Sequence, residues 1–333
     1  MRRRAAAWLL LACCGPAWAV PLADNPPLRA LIDRLVQQDG FDRSQVERLL
    51  TEATYQQSIV DAITRPAEKM PWSRYRPIFL TEERINGGVA FWQQHADLLA
   101  RAERELGVPA AVITAIIGVE TRYGANTGRY RALDALTTLT VAGLPRSAFF
   151  GQELRELFLL GREEHIDPVT ITGSYAGALG LPQFIPSSYR AYAVDFDHDG
   201  RRDLLGSPAD AIGSVARFLQ LHGWEHGAPV AVPARVEGDP AALVAAGIKP
   251  ATTLAAMAAQ GIRADGTDGE AARLAALVDL VTPAAPTEYW VGFENFFVLT
   301  RYNRSSFYAM SVFQLAEAVR EAHTARLSVA PKD

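Results

Sequence analysis

The segment PAAVITAIIGVETRYG places one carboxylate, Glu120, near the end of a run of apolar residues. An i, i+3, i+4, i+7 pattern, typical of one helix face, runs through Ile113, Ile116, Ile117 and Glu120. A carboxylate on an apolar face is either paired or partly desolvated, and desolvation raises its pKa so that it keeps a proton near neutral pH. Such a group can act as a general acid. The segment alone leaves a second interpretation open, in which Glu120 ends a helix and bonds to Arg122 or to backbone amides.

A second group of carboxylates lies in DFDHDGRRD, residues 195–203, where aspartates alternate and Gly200 follows the third. This is the opening of a calcium-binding loop, which uses hard oxygen ligands and a sharp turn at glycine. Position 12 is Gly206 instead of a glutamate, and the nearest later acid, Asp210, also fits a capping box with Ser207. No Cys or His cluster in the sequence favours a transition metal. We therefore predict an EF-hand-like, structural Ca²⁺ site formed by Asp195, Asp197, Asp199, the backbone oxygen of Arg201, and Asp210.

Two further motifs carry polar groups that could hold a substrate. The stretch GSYAGALGLPQF is rich in glycine and small residues, which lets a ligand approach the backbone closely. Within it, Ser174 and Gln183 can hydrogen-bond hydroxyl or amide groups, and a tight turn packed on a neighbour is the alternative. In RYNRSSFYAM, Tyr302 could stack on a sugar face, whereas either Asn303 or Ser305 could cap the helix that follows.

The composition excludes several classes of protein. The 333 residues suffice for two or three packed units. A formal charge of −4 gives no sign of the basic face that a nucleic-acid-binding protein needs. P-loop and dinucleotide fingerprints are absent from the sequence, so we expect no organic cofactor.

The first 19 residues have the pattern of a secretory signal peptide: MRRR, an apolar run too short to span a membrane, and an A-x-A site ending at Ala19. Cleavage there would remove three arginines, which changes the charge to −4 − 3 = −7, and would also remove both cysteines. The residues before Cys13 loosely resemble a lipoprotein box, which would instead leave a lipid-carrying Cys13. We favour soluble export to the periplasm over an outer-membrane lipoprotein.

The remaining patterns predict a mainly α protein with a few short strands. A helix is expected to begin at Pro109 and to stop at Gly124 in the left-handed conformation. Another is expected from Val89 to Leu106, after a Pro- and aromatic-rich connection over residues 71–87. The predicted boundaries are 1–19 for the signal peptide, 20–87 for an N-terminal helical region, 88–226 for the first part of the core, 227–288 for an inserted small α/β unit, 289–325 for the closing segment of the core, and 326–333 for a tail.

Four motifs follow one another in an order that resembles the membrane-bound lytic murein transglycosylase B family: GVETRYG, GSYAGALGLPQFIPSSYRAYAVDFDHDG, DAIGSVARFLQLHGW and LTRYNRSSFYAMSVFQLA. The similarity covers roughly residues 28–325. It implies a lysozyme-like core with a helical domain and a small β-containing domain attached. It also implies a carbon–oxygen lyase that cleaves the β-1,4 bond between N-acetylmuramic acid and N-acetylglucosamine in peptidoglycan. The implied product is a 1,6-anhydromuramic end, made without water.

The same resemblance implies roles for individual residues. Glu120 would be the single acid, which protonates the leaving oxygen and then takes the proton of the C6 hydroxyl. Leu181-Pro182 replaces the aromatic or small residue and Gly that the family more often has before Gln183, and makes the turn more rigid. Arg146 would meet a peptide stem or a lactyl carboxylate. The implied substrate-binding residues are Ser174, Gln183, Tyr302, Asn303 and Arg146.

Two alternatives to the lytic transglycosylase remain at this point. A lysozyme-type hydrolase of the same bond would need a second carboxylate or a held water, and it would leave reducing ends. A non-catalytic peptidoglycan-binding protein would need neither. We expect glycan strands of peptidoglycan as the partner, no nucleic acid, and a monomer; cell-wall synthases are open as further partners.

Overall fold

The computed structural model describes residues 17–19, 25–65, 70–267 and 269–329. These residues fall into two compact units. The first unit takes the described residues of 1–66, 128–178 and 185–187, and the second takes those of 67–127, 179–184 and 188–333. The predicted boundary between residues 87 and 88 does not coincide with this division, because residues 128–178 group with the N-terminal helices.

The elements are numbered in chain order. The described helices are α1 (Pro26–Gln37), α2 (Arg43–Thr51), α3 (Gln57–Thr64), α4 (Trp72–Phe79), α5 (Glu82–Gln94), α6 (Ala96–Leu106), α7 (Ala110–Thr121), α8 (Ala132–Val141), α9 (Ser147–Glu163), α10 (Pro186–Tyr192), α11 (Pro208–Leu221), α12 (Ala241–Ala245), α13 (Leu254–Ala259), α14 (Glu294–Tyr302) and α15 (Ser306–Val329). The described strands are β1 (Ala17–Ala19), β2 (Thr54–Gln56), β3 (Tyr130–Arg131), β4 (Thr172–Gly173), β5 (Ala231–Val236), β6 (Thr252–Thr253), β7 (Ile262–Ala264), β8 (Leu274–Leu280) and β9 (Glu288–Gly292).

The first unit begins with amphipathic helices whose N-termini are capped by side chains. The Asn25 side chain accepts a hydrogen bond from an amide of the first turn of α1, and Asp42 accepts one from the Gln45 amide of α2 at 2.9 Å. α8 and α9 pack against each other and against α1. The predicted apolar stripe of α1 is confirmed, since its buried residues are Leu28, Leu31, Ile32 and Leu35.

The second unit combines helices around α7 with a small antiparallel sheet. α7 is in contact with α5, α6, α11 and α15. The five strands of the sheet are ordered β6-β8-β9-β5-β7, and its own core consists of Leu243, Leu254, Met257, Ile262, Ala275, Leu277, Val291 and Phe293. The sheet extends to Gly292, so the predicted end of the inserted unit at residue 288 falls inside β9.

Two sequence-based expectations for the second unit are wrong. Residues 71–87, expected to form a connection, contain α4 and the beginning of α5, because Thr81 caps α5 through the Arg84 amide at 3.2 Å. The single helix expected from Val89 to Leu106 is two helices, α5 and α6, which meet at His95. Apolar periodicity continues across this break, and a single periodic run therefore hides it.

Most of the predicted leader, including Cys13, lies outside the described residues, as do residues 330–333 of the predicted tail. Ala17–Ala19 of the leader form β1, which pairs antiparallel with β2. α15 continues to Val329, beyond the expected end of the core at residue 325. None of the helices described has both the length and the apolar character that crossing a bilayer requires.

Candidate active site

Glu120 lies in the last turn of α7, the helix at the centre of the second unit. Residues 110–118 of this helix and Thr121 are all buried, whereas Glu120 is half-buried. The expectation of a single apolar face is therefore wrong, since α7 is apolar all round, as a helix enclosed by other helices must be. Glu120 and the neighbouring Val119 are the partly accessible residues of this otherwise buried helix.

The end of α7 is a run of three left-handed residues. Arg122, Tyr123 and Gly124 have φ of 52°, 59° and 91°, so the helix stops two residues before the predicted glycine. Left-handed conformations are unfavourable for Arg and Tyr and need compensation from the surroundings. The Tyr123 hydroxyl donates to the Arg84 carbonyl at 2.8 Å, and its ring packs so closely on Gly118 that a Cβ there would lie 2.5 Å from the hydroxyl oxygen. Tyr123 thus fixes the turn that follows Glu120.

In the segment Gly180–Gln183, each of the first three backbone carbonyls accepts a hydrogen bond from a side chain, one within the segment and two from neighbouring helices. The side-chain amide of Gln183 donates through Nε2 to the Gly180 carbonyl at 2.9 Å. Thr121 Oγ1 donates to the Leu181 carbonyl at 3.0 Å, and the Tyr302 hydroxyl to the Pro182 carbonyl at 2.6 Å. The backbone geometry of Leu181-Pro182 is therefore fixed from α7 and α14.

Gln183 itself takes a left-handed conformation, with φ of 53°. Its Nε2 also donates to the Thr127 carbonyl at 3.1 Å, so both amide hydrogens are used within the unit. Its Oε1 accepts no hydrogen bond from the described residues. The atom of Gln183 that a substrate could use is consequently an acceptor.

Tyr308 is the closest polar partner of Glu120, and the sequence analysis missed it. Its hydroxyl donates to Glu120 Oε1 at 2.6 Å, and its ring stacks on Tyr302 with centroids 6.3 Å apart. Tyr308 is buried. The available signal was its place in the first turn of α15, inside the aromatic motif RYNRSSFYAM.

Burial raises the pKa of Glu120 from 4.5 to about 7, and the Tyr308 hydrogen bond opposes this rise. Burial also raises the pKa of Tyr308 and of Tyr302 well above the usual range, and the charge of Glu120 adds to both shifts. The pKa of Tyr75 on α4 is raised in the same way, by burial first and by Glu120 second. Three phenols therefore surround a carboxyl group that can hold a proton at neutral pH.

Three other predicted substrate-binding residues are placed as follows. Ser174, in the first unit, uses its oxygen to accept the amides of Ala176 and Ala178 at 3.3 and 3.0 Å, in a turn. Arg146, also in the first unit, is exposed and lies over the ring of Phe149 at 4.6 Å. Asn303, in the second unit, is exposed at the end of α14; Ser305 and not Asn303 caps α15, through the Tyr308 amide at 3.3 Å.

The aspartate loop brings three of the predicted metal ligands together. One carboxylate oxygen from each of Asp195, Asp197 and Asp210 lies within 4.8 Å of the others. Asp210 also accepts the amides of Phe196 at 2.7 Å and Asp203 at 2.6 Å, and burial raises its pKa. Three hard oxygen donors around one point suit Ca²⁺.

The other two predicted ligands differ from this group. Asp199 is not part of the cluster; its Oδ1 accepts the Arg201 amide at 2.9 Å. The backbone oxygen of Arg201 remains a predicted ligand. Asp210, predicted to stand in for the missing closing glutamate, lies in the first turn of α11, where its amide donates to Ser207 Oγ at 3.2 Å.

Comparison with known proteins gives one family and close relatives. A family model described as the transglycosylase SLT domain matches residues 23–317. The membrane-bound lytic murein transglycosylase B of Escherichia coli (strain K12) is 41% identical over 308 residues, which cover 89% of this chain and 83% of that protein.

Solved structures agree with this match. The soluble lytic transglycosylase SltB1 of Pseudomonas aeruginosa is 46% identical with a TM-score of 0.83, over 90% of this chain and 100% of that chain. The Escherichia coli lytic transglycosylase Slt35 in complex with calcium is 38% identical with a TM-score of 0.82, over 92% and 97%. SltB3 of Pseudomonas aeruginosa in complex with NAG-anhNAM-pentapeptide is 29% identical with a TM-score of 0.77, over 88% and 78%.

Proposed function

The chain belongs to the transglycosylase SLT domain family and is a lytic transglycosylase of peptidoglycan, and from this premise we propose a reaction carried by Glu120 alone. In this reaction the β-1,4 bond between N-acetylmuramic acid and N-acetylglucosamine breaks without water. The products are a free N-acetylglucosamine O4 hydroxyl and a 1,6-anhydro-N-acetylmuramic end. The observation that carries the proposal is the half-buried Glu120 with a pKa of about 7.

In the first step Glu120 is the acid. It gives its proton to the glycosidic oxygen, the bond from C1 to that oxygen breaks, and the leaving sugar departs as an alcohol. The acetamido oxygen of the muramic sugar bonds to C1 and takes up the positive charge, which makes an oxazolinium-like intermediate. Glu120 is now a carboxylate, and the Tyr308 hydroxyl, 2.6 Å from Oε1, stabilises it.

In the second step Glu120 is the base. It removes the proton of the muramic C6 hydroxyl while that oxygen attacks C1 and displaces the acetamido oxygen. The acetamido group becomes neutral, the 1,6-anhydro bond is formed, and Glu120 is protonated again. Glu120 therefore loses a proton in the first step and regains one in the second, and no water is consumed.

A single-acid mechanism is supported by what shifts the pKa of Glu120. The causes are burial and the Tyr308 hydroxyl, and no second carboxylate of the described second unit contributes. Paired carboxylates of glycoside hydrolases lie about 5–10 Å apart on the two sides of the scissile bond. A hydrolase would need a second carboxylate or a held water, and the proposed reaction needs neither.

We also propose that Asp195, Asp197 and Asp210 hold a structural Ca²⁺, with Asp199 and Arg201 as further predicted ligands. The related Slt35, solved in complex with calcium, supports this. The aspartate loop packs by Phe196, over which Arg101 lies at 3.7 Å, so the ion would stabilise this corner of the second unit. Substrate contacts by Ser174, Arg146, Tyr302 and Asn303, and a periplasmic location, stay predictions.

The test is digestion of purified peptidoglycan by the protein, followed by mass spectrometry of the released muropeptides. We expect fragments one water lighter than hydrolysis products and resistant to borohydride reduction. Glu120→Gln should abolish release, whereas Glu83→Gln, an exposed carboxylate on α5, should not. Reducible ends would replace the lyase with a hydrolase, and residual release by Glu120→Gln would contradict the single-acid mechanism.

A further inference from the structure

The hydroxyl of Thr121, the residue that follows Glu120, joins three backbone segments of the second unit. Its Oγ1 lies 3.0 Å from the Leu181 carbonyl and 3.2 Å from the Ile117 carbonyl, one turn back on α7. It also accepts the Gly124 amide at 3.1 Å, which closes the run of left-handed residues after the helix. A hydroxyl has one hydrogen to donate, and the nearer carbonyl, that of Leu181, is the one outside α7. The side chain is fully buried, so this contact is made away from bulk water.

The backbone that Thr121 reaches is also held from its other side. The Leu181 amide donates to the Leu204 carbonyl at 3.1 Å. Gly180 has φ of 65°, and a Cβ on it would collide with that same carbonyl oxygen, so the two backbones approach closely only because this residue is glycine. Leu181 and Leu204 are both buried. The peptide group at Leu181 is therefore fixed between Leu204 and the end of α7.

The position of Gln183 follows from this fixed backbone. The Leu179 amide donates to the Phe184 carbonyl at 2.8 Å, and the Phe184 amide donates back at 3.1 Å, which closes the turn that contains Gly180 and Gln183. Within the turn, the side chain of Gln183 bonds back to the Gly180 carbonyl. The unused acceptor of Gln183, its Oε1, is thus carried by a closed turn, and that turn contacts α7 through the Leu181 carbonyl.

We propose that Thr121 is a positioning residue, whose hydroxyl sets the placement of the Glu120 carboxyl group relative to the Oε1 acceptor of Gln183. The inference rests on the proposed function, in which Glu120 is the acid, and on the predicted contact of Gln183 with the same substrate. Glu120 and Thr121 are consecutive residues in the last turn of α7, so a shift of the Leu181 carbonyl against this turn moves Gln183 relative to the acid. Such a shift matters because a misplacement of about 1 Å can lower a reaction rate by roughly 100-fold.

A buried threonine that only fills space would respond differently to substitution. Thr121→Ser keeps the hydroxyl, and Thr121→Val keeps the shape but offers no polar atom. Thr121→Ala leaves a small cavity lined by two carbonyls and an amide, which are enough partners for a water molecule to replace the hydroxyl. A positioning role therefore predicts that kcat falls in the order serine, alanine, valine. A packing role predicts the lowest kcat for alanine, because alanine creates the cavity.

The test measures kcat and KM for the cleavage of soluble peptidoglycan glycan oligomers, under conditions in which urea unfolding shows each variant to be folded. We expect Thr121→Val to lower kcat by about 10- to 100-fold with KM changed by less than about threefold, since the substrate still binds but the acid is misplaced. Thr121→Ser should stay within about threefold of wild type. Thr114→Val is the matched control, because Thr114 is fully buried on the same helix and its hydroxyl makes no hydrogen bond with the described residues.

A double-mutant cycle with Gln183→Ala keeps the proposal testable if Thr121→Val does not fold. Thr121→Ala should lower kcat in the wild-type background and have little further effect once the Gln183 side chain is gone. Equal losses in the two backgrounds would overturn the proposal. So would an unchanged kcat in Thr121→Val, a lower kcat for alanine than for valine, or an equal loss in Thr114→Val. Cleaved bonds are counted whichever end is formed, so a failure of the lyase reaction, read separately from borohydride resistance, leaves this comparison intact.

Discussion

Replacing Glu120 with glutamine, its neutral isostere, should change how folding stability depends on pH. In the folded protein burial raises the pKa of Glu120 from 4.5 to about 7, whereas in the unfolded chain the residue titrates at its ordinary value. Between these pH values the folded state holds a proton that the unfolded state has lost, so the wild-type free energy of unfolding falls as pH rises. The loss begins near pH 4.5 and is complete above about pH 7.

The size of the effect follows from the pKa difference, 7 − 4.5 = 2.5, which corresponds to about 3.4 kcal/mol at 1.36 kcal/mol for each pKa unit. Glu120 is half-buried, so solvent screens part of this and we expect about 2–3 kcal/mol. Glutamine keeps an oxygen for the Tyr308 hydroxyl but carries no charge. The stability of Glu120→Gln relative to wild type should therefore rise by this amount between pH 4.5 and pH 8.

The assay is urea unfolding of both proteins at the two pH values, with the free energy extrapolated to water. Glu321→Gln removes an exposed carboxylate on α15 and serves as the control, since its charge stays in water in both states. We expect its relative stability to be the same at both pH values. A relative stability of Glu120→Gln that does not change with pH would refute the argument, because it would mean that the carboxylate is not desolvated.

Three other predictions can be tested on the same protein. Tyr308→Phe removes the hydrogen bond that lowers the pKa of Glu120, so the basic limb of the plot of kcat/KM against pH should move to higher pH. A basic limb at the same pH would show that Tyr308 does not influence the pKa of the catalytic acid. Adding Ca²⁺ at about 100 times its dissociation constant should raise the free energy of unfolding by roughly 2.7 kcal/mol, and Asp197→Asn should remove that increment; equal calcium responses would contradict the site. Gly118→Ala would put a Cβ 2.5 Å from the Tyr123 hydroxyl oxygen and should lower the free energy of unfolding by about 1–3 kcal/mol, measured by urea unfolding; unchanged stability would refute this packing.

Local patterns predicted the parts of this protein that local chemistry determines. The cap of α11 by Ser207 depends on residues within one turn and follows the standard preference. The alternating aspartates likewise predicted that the carboxylates of Asp195 and Asp197 lie close together, as they do in the structure. The desolvation of Glu120 could be predicted because apolar neighbours in sequence are also its neighbours on the helix.

The remaining features depend on contacts between distant residues. Tyr308 lies 188 positions after Glu120, so no spacing could connect the two. The predicted glycine stop of α7 was wrong because the Tyr123 hydroxyl reaches the Arg84 carbonyl, which lets Tyr123 adopt a left-handed conformation. Tyr302, predicted to stack on a sugar face, also makes a contact that only the tertiary structure reveals, since its hydroxyl donates to the Pro182 carbonyl.

The surroundings of Glu120 suit a residue that must act as acid and base in turn. Burial raises its pKa, and its place in the last turn of α7 acts in the same direction, because the negative end of the helix dipole disfavours a carboxylate. Tyr308 opposes both by donating to the charged form. With an ordinary pKa, Glu120 would be ionised at neutral pH and could not protonate the leaving oxygen. Without Tyr308, the carboxylate formed after that step would lose the hydrogen-bond donor that the described residues supply. Hydrolases with paired carboxylates divide these demands between two groups with separated pKa values, whereas in the proposed mechanism one carboxyl group and one phenol meet both.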